Sequence, residues 1–150
     1  MAHSTSAVFI HLVFSTKLRE PLIVSEIENE LFSYLSGTLH ELACDPLAVN
    51  GVPDHVHLLF DLPRTVTIAK VVETVKSHSS KWIKTKGSQF HSFYWQAGYG
   101  AFSVSKSQLD IVIRYIRNQK QHHEERGFQD ELRTLLNKHD IEFSEDSIWD

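Results

Sequence analysis

Cysteine is nearly absent from these 150 residues, which carry one Cys, one Met and four Pro. A lone Cys44 excludes an intrachain disulfide and any zinc site built on several thiolates. No apolar run approaches the ~18–20 residues that cross a bilayer. The first residues lack a basic segment leading into an apolar one, so a secretory leader is not expected and a cytoplasmic location is. There is no HExxH pair and no phosphate-cradling glycine loop, which removes the common zinc-protease and nucleotide-cradle readings. Internal repeats and low-complexity linkers are missing too. Positive charge is in short supply: the formal net charge is −4, against a uniformly basic nucleic-acid binder. What remains is ordinary globular composition, 41% apolar and 23% charged, long enough for one domain over 1–150 with a real core.

The charge is unevenly distributed. Residues 1–63 hold 2 basic and 8 acidic side chains, and residues 124–150 hold 3 basic and 9 acidic. Residues 64–123 hold 10 basic and 2 acidic, a local excess of +8. Clustering of this kind, more than net charge, decides where a polyanion docks. A solvated helix face explains the same lysines equally well.

Residues 7–15 (AVFIHLVFS) read as a buried strand, rich in β-branched and aromatic side chains. Ser25-Glu26-Ile27-Glu28 has the pattern of a capping box, opening a helix with Ile27, Leu31, Leu35, Leu39 and Leu42 near a 3.6-residue period. Residues 47–52 and the stretch from His55 onward form a hairpin across Gly51-Val52-Pro53-Asp54. A second helix spans about 67–85, with Ile68, Val71, Val72, Val75, Trp82 and Ile83 as its apolar stripe. An aromatic, glycine-punctuated loop (93–100) leads to a fourth strand over 101–105. A helix from Ser107 to about Glu125, ended by Gly127, and a last one over 129–138 complete the order β-α-β-β-α-β-α-α. That order fits an α+β ferredoxin-like sandwich, one antiparallel sheet with helices on one face.

Asp54-His55-Val56-His57-Leu58-Leu59-Phe60 is the most chemical of these strands. Alternation puts His55, His57 and Leu59 on one face and Val56, Leu58 and Phe60 on the other. Two imidazoles so placed can hold one metal ion. With ten histidines in the chain, coincidence is a competing explanation. A third alternating histidine, as histidine-triad hydrolases need, is replaced by Leu59, and the paired His-x-Ser/Thr of two-histidine phosphoesterases is missing.

The helix from Ser107 offers Tyr115 and Gln119, four residues apart on one face, with Ile111 before them and His122 after. Val112, Ile113 and Ile116 can anchor that helix to the sheet. A tyrosine hydroxyl is a possible nucleophile and a glutamine carbonyl a neutral ligand. Taken alone, the pair fits a partly buried tyrosine with an i+4 neighbour better. Tyr34, Tyr94 and Tyr99 are rival nucleophiles, but none has an adjacent oxygen ligand in a helical frame.

Several of these segments together resemble one family. They are Phe14-Ser15-Thr16-Lys17, His55-Val56-His57 after Pro53-Asp54, the block from Trp95-Gln96 through Gly98-Tyr99-Gly100-Ala101-Phe102-Ser103-Val104, and Tyr115-Ile116 with Asn118-Gln119 before His122-His123. The family is that of single-tyrosine HUH transposases of small bacterial insertion sequences, the TnpA type, with their repeat-associated relatives. The resemblance implies cleavage of single-stranded DNA beside a hairpin, through a 5′-phosphotyrosine and a free 3′-hydroxyl that later reseals the strand. It assigns Tyr115 as nucleophile and His55, His57 and Gln119 as metal ligands. Imidazoles alone would suggest zinc or a later transition metal; the resemblance implies Mg²⁺ or Mn²⁺. Water or His122 would take the tyrosine proton. The +8 segment then gains a use, with Lys70, Lys76, Lys81, Lys84, Arg114, Arg117 and Lys120 tracking phosphates and an exposed Trp95 stacking bases. Relatives form homodimers. A domesticated hairpin-binding protein and a small metal hydrolase unrelated to nucleic acid are the alternatives; the latter leaves Tyr115 and the charge segregation unused.

Overall fold

The apolar alternation of the strands is satisfied by a four-stranded sheet with a different helical layer on each side. The structure, a computed structural model, describes residues 3–123 and 127–145, with the side chains of all these except 122 and 123. Its elements are β1 (Phe9–Ser15), α1 (Ser25–Glu41), β2 (Asp45–Val52), β3 (His55–Asp61), α2 (Ile68–Lys84), β4 (Gly100–Val104), α3 (Leu109–Arg117), α4 (Gln119–His123) and α5 (Phe128–Lys138). The strand order is β2-β3-β1-β4, every pairing antiparallel. This is the ferredoxin-like arrangement expected from the β-α-β-β-α-β order. No helix among the described residues is long and apolar enough to cross a membrane.

Ile10, Leu12 and Phe14 of β1 and Val56, Leu58 and Phe60 of β3 meet Ile27, Leu31, Leu35 and Leu39 of α1 and Val71, Val72, Val75 and Ile83 of α2 in the main core. Fully burying a side chain of this kind contributes roughly 1.5–3 kcal/mol, so this cluster dominates stability. The two crossover helices therefore share one face, as expected. The opposite face is covered as well. Val13 and Phe102 pack there against Phe128, Leu132 and Leu136 of α5 in a smaller, separate cluster. The 3.6-residue spacing of those three residues gives α5 an apolar stripe that a bare sheet face can bury.

Three local expectations need correction. Ser25 does not cap α1; Val24 occupies the cap position and its carbonyl accepts the Glu28 N–H at 3.1 Å, so the helix begins one residue earlier than a serine cap allows. The long helix from Ser107 is interrupted: a 3₁₀ turn covers Lys106–Gln108, and Asn118 separates α3 from α4 with φ −97° and ψ 21°. Asn50 of β2 explains the interruption. Its Nδ2 donates to the carbonyls of Ile116 (3.0 Å) and Arg117 (3.1 Å), satisfying acceptors at the helix end. Trp95 is not an exposed stacking platform. It is 9% exposed, packs edge-on against Phe14 and Phe93, and donates its indole N–H to Ser79 Oγ at 2.9 Å.

Gly51 is required by the hairpin that carries the histidines. A Cβ there would stand 2.5 Å from the His55 carbonyl oxygen and 3.0 Å from Val56, so any larger residue pushes β2 off β3.

Candidate active site

The histidine face is built by register. β1 lies between β3 and β4, with Val13 opposite His57 and His11 opposite Leu59. His11 and His57 are therefore diagonal neighbours on one face, a spacing long side chains span. Their rings stack with centroids 5.0 Å apart, and His11 Nε2 and His57 Nδ1 are hydrogen-bonded at 2.7 Å. His55 uses its Nδ1 in the same way, toward Asp54 Oδ1 at 2.7 Å. The two Nε2 atoms of His55 and His57 both face Oε1 of Glu131, on α5, the His55 contact being 3.4 Å.

All four groups are withdrawn from water. His55 and His57 are 0% exposed, and His11 and Glu131 are buried. Phe128 of α5 sits over His55 with ring centroids 4.7 Å apart. Burial, and then the neighbouring His57, hold His11 well below the usual imidazole range. For His55 burial acts in the same direction, but hydrogen bonds to Asp54 and Glu131 and their charges outweigh it and raise its pKa.

The structure brings Tyr115 to this face. Its ring lies edge-on to His57 at 5.7 Å and to His11 at 6.3 Å between centroids. A cavity of about 450 Å³ opens beside it, with His11, Gln108, Ile111, Tyr115, Glu131 and His139 among its lining. Gln119 follows one turn on, fully buried, with its Nε2 directed to the Tyr115 carbonyl at 3.5 Å. Its Oε1 is buried and accepts no hydrogen bond from any described residue. A buried acceptor of that kind is costly unless something electropositive meets it. His122, the expected proton acceptor, has its side chain outside the described residues.

The ligand atoms of His55, His57 and Glu131 lie within 4.8 Å of one another. Two imidazoles and a carboxylate around one point fit a divalent cation, and the buried Gln119 Oε1 is a further oxygen without a donor among the described residues. Glu131 was not legible as a site residue. The family-like landmarks stop near residue 125, and acidic residues are common in the last segment. One signal existed: Glu131 lies beside Leu132 on the side of α5 that carries Phe128, Leu132 and Leu136, where a solvated acid is out of place.

The expected DNA contacts divide. Lys70, Lys81, Arg114, Arg117 and Lys120 are exposed, Lys120 being ion-paired with Glu28 of α1. Lys84 lies over the ring of Tyr94, 4.3 Å from its centroid, and Tyr94 is 53% exposed, so Tyr94, unlike Trp95, is an accessible aromatic beside the basic helix. Lys76 has a structural occupation: its ammonium donates to the carbonyls of Gln96 (2.8 Å) and Gly98 (2.7 Å) and lies 5.0 Å from the Phe14 ring centroid. Lys76→Met is accordingly expected to lower unfolding stability by about 1–3 kcal/mol through unsatisfied carbonyls, read by chemical denaturation. Wild-type stability in that variant would show that the loop does not depend on the ammonium.

Comparison with known proteins gives a consistent picture. Residues 4–119 match the model of the family described as "Transposase IS200 like". The ISDra2 transposase TnpA of Deinococcus radiodurans is 24% identical over 114 residues, 73% of this chain and 81% of that protein. A crystal structure of a Deinococcus radiodurans protein described as a transposase superposes with a TM-score of 0.63 at 23% identity, covering 79% of this chain and 95% of that one. The structure of a REP-associated tyrosine transposase bound to a REP hairpin gives a TM-score of 0.61 at 11% identity, over 82% and 72% of the two chains. At these identities the two structures speak for the fold.

Proposed function

Because the chain belongs to the family of IS200-like transposases, we propose that residues 1–150, acting as one unit, cut and rejoin single-stranded DNA at hairpin-flanked ends through a 5′-phosphotyrosine at Tyr115. The observation that carries this reading is the juxtaposition within one chain of the Tyr115 ring and the His55–His57–Glu131 cluster, which meet at the His57 ring. It also favours use of Tyr115 beside the histidines of its own chain.

His55, His57, Glu131 and Gln119 would hold a divalent cation, Mg²⁺ or Mn²⁺, which when bound supplies concentrated positive charge for phosphate oxygens. The carboxylate shifts preference toward such hard cations, away from the zinc that imidazoles alone would suggest. Tyr115 attacks the phosphorus, a Tyr–O–P bond forms, and the bond to the 3′ oxygen of the preceding nucleotide breaks. The phenolic proton leaves to water and the departing 3′ oxygen gains one, so the strand ends as a 3′-hydroxyl and a protein-linked 5′-phosphate. The new ester keeps the energy of the broken one, so rejoining needs no further energy source. Lys70, Lys81, Arg114 and Arg117 are free to follow the backbone, and Tyr94 with Lys84 offers a base a stacking face. Pairing of two copies is part of the proposal, and its measure is solution mass.

The test is polarity of attachment. Hairpin DNA labelled at either end is incubated with protein and Mn²⁺, then resolved under denaturing conditions. The 3′-labelled strand should travel with the protein and the 5′-labelled strand should be released; the reverse distribution contradicts the 5′-phosphotyrosine. Binding without any adduct would favour a hairpin-recognition protein, a reading supported by the cover that Phe128 and Glu131 of α5 lay over the imidazoles. The apolar anchor of that cover is the smaller of the two clusters, so α5 can open locally at lower cost than the main core.

A further inference from the structure

The cluster's outer partners carry one more assignment. We propose that His11 is the positioning residue for His57: it accepts the Nδ1 proton of that ring and so fixes the tautomer and plane in which Nε2 can hold a metal ion. The proposal rests on the metal reading above.

The geometry leaves His57 little freedom. One nitrogen is committed to His11 Nε2 at 2.7 Å and the other faces Glu131. Only one proton can lie between His11 Nε2 and His57 Nδ1. A neutral imidazole that gives its Nε2 lone pair to a cation must carry its proton on Nδ1, so the shared proton belongs to His57 and His11 must accept it. The second nitrogen of a ligating histidine is regularly tied down in this way, and losing that tie typically lowers metal affinity about 10–100-fold. His55 has the more usual partner, the Asp54 carboxylate. His57 has a neutral ring instead, which orients the ligand without adding a second negative charge beside Glu131. The same His11 ring lies edge-on to Tyr115 and lines the cavity next to it, so one side chain touches both the cation ligand and the nucleophile. Only the register of β1 against β3, two residues off direct opposition, places it there.

The experiment compares Mn²⁺ affinity, by titration with electron paramagnetic resonance, in wild type, His11→Gln and His11→Phe, with circular dichroism confirming the fold of each. Glutamine keeps an acceptor near the position of Nε2 and phenylalanine keeps only the ring. Affinity should fall about 10–100-fold in His11→Phe and recover to within a few-fold of wild type in His11→Gln. In the Mg²⁺-loaded wild type, ¹⁵N chemical shifts should place the His57 proton on Nδ1. Wild-type affinity in His11→Phe, equal losses in both variants, or an Nε2 proton on loaded His57 would each overturn the assignment of His11 alone. A wild-type chain that binds no Mn²⁺ would instead overturn the metal reading, and this proposal with it.

Discussion

Tyr115→Phe is expected to abolish the covalent protein–DNA adduct while leaving hairpin binding within a few-fold of wild type. The substitution removes one oxygen and nothing else. The ring contacts with His57 and His11 are made by the aromatic face and edge, so phenylalanine keeps them, and the partly buried position tolerates the loss of a hydroxyl. A phosphotyrosine cannot form without that oxygen, and the imidazoles nearest the Tyr115 ring are occupied by each other and by Glu131. The loss should therefore reach the detection limit of a denaturing gel. Binding, read by mobility shift, is proposed to draw on the basic residues of α2 and α3 and should be affected little. An undiminished adduct would place the nucleophile elsewhere, with the exposed Tyr94 and Tyr99 next in line.

The second large effect belongs to the imidazole pair. His55→Ala with His57→Ala should eliminate both Mn²⁺ binding and cleavage. Two of the three clustered side chains that would hold the ion are removed at once, and groups that act as a unit have separate losses that do not add. The double change also leaves Glu131 buried without its ring partners, so some loss of stability accompanies it. Glu131→Gln is the gentler companion. It keeps the shape of α5 and removes only the charge, and Mn²⁺ affinity should fall by at least about 10-fold, the scale set by loss of even an outer contact. A rise in affinity would mean that the carboxylate plugs the site instead of completing it. Cleavage that survives in the double alanine variant would remove the histidines from the metal assignment.

Much of this architecture is legible in residue order because the signals are local. Period-2 alternation around Val56, Leu58 and Phe60 and the turn at Pro53-Asp54 define the hairpin, and alternation alone puts His55 and His57 on a common face. What escapes the sequence depends on contacts between distant segments. The break at Asn118 follows from Asn50, 66 residues before Ile116, holding the carbonyls of a helix that its own periodicity would continue. Trp95 reads as a surface aromatic because it stands in a glycine-rich loop, yet Thr16 pairs with it at the end of β1 and Ser79 Oγ accepts a hydrogen bond from its indole N–H. Lys76 reads as one basic residue among several until the loop folds its carbonyls over the ammonium. Glu131 lies outside the family-like landmarks altogether, and His11 passes for a core residue of an apolar strand until the register sets it diagonally across from His57.

The most direct measurement is mass spectrometric mapping of the adduct formed with hairpin DNA and Mn²⁺. After nuclease and protease digestion, the expected result is nucleotide mass on the peptide containing Tyr115, present with Mn²⁺ and absent with chelator. Nucleotide on a peptide carrying Tyr34, Tyr94 or Tyr99, or an adduct at Tyr115 that forms equally in chelator, would contradict a metal-assisted Tyr115 nucleophile.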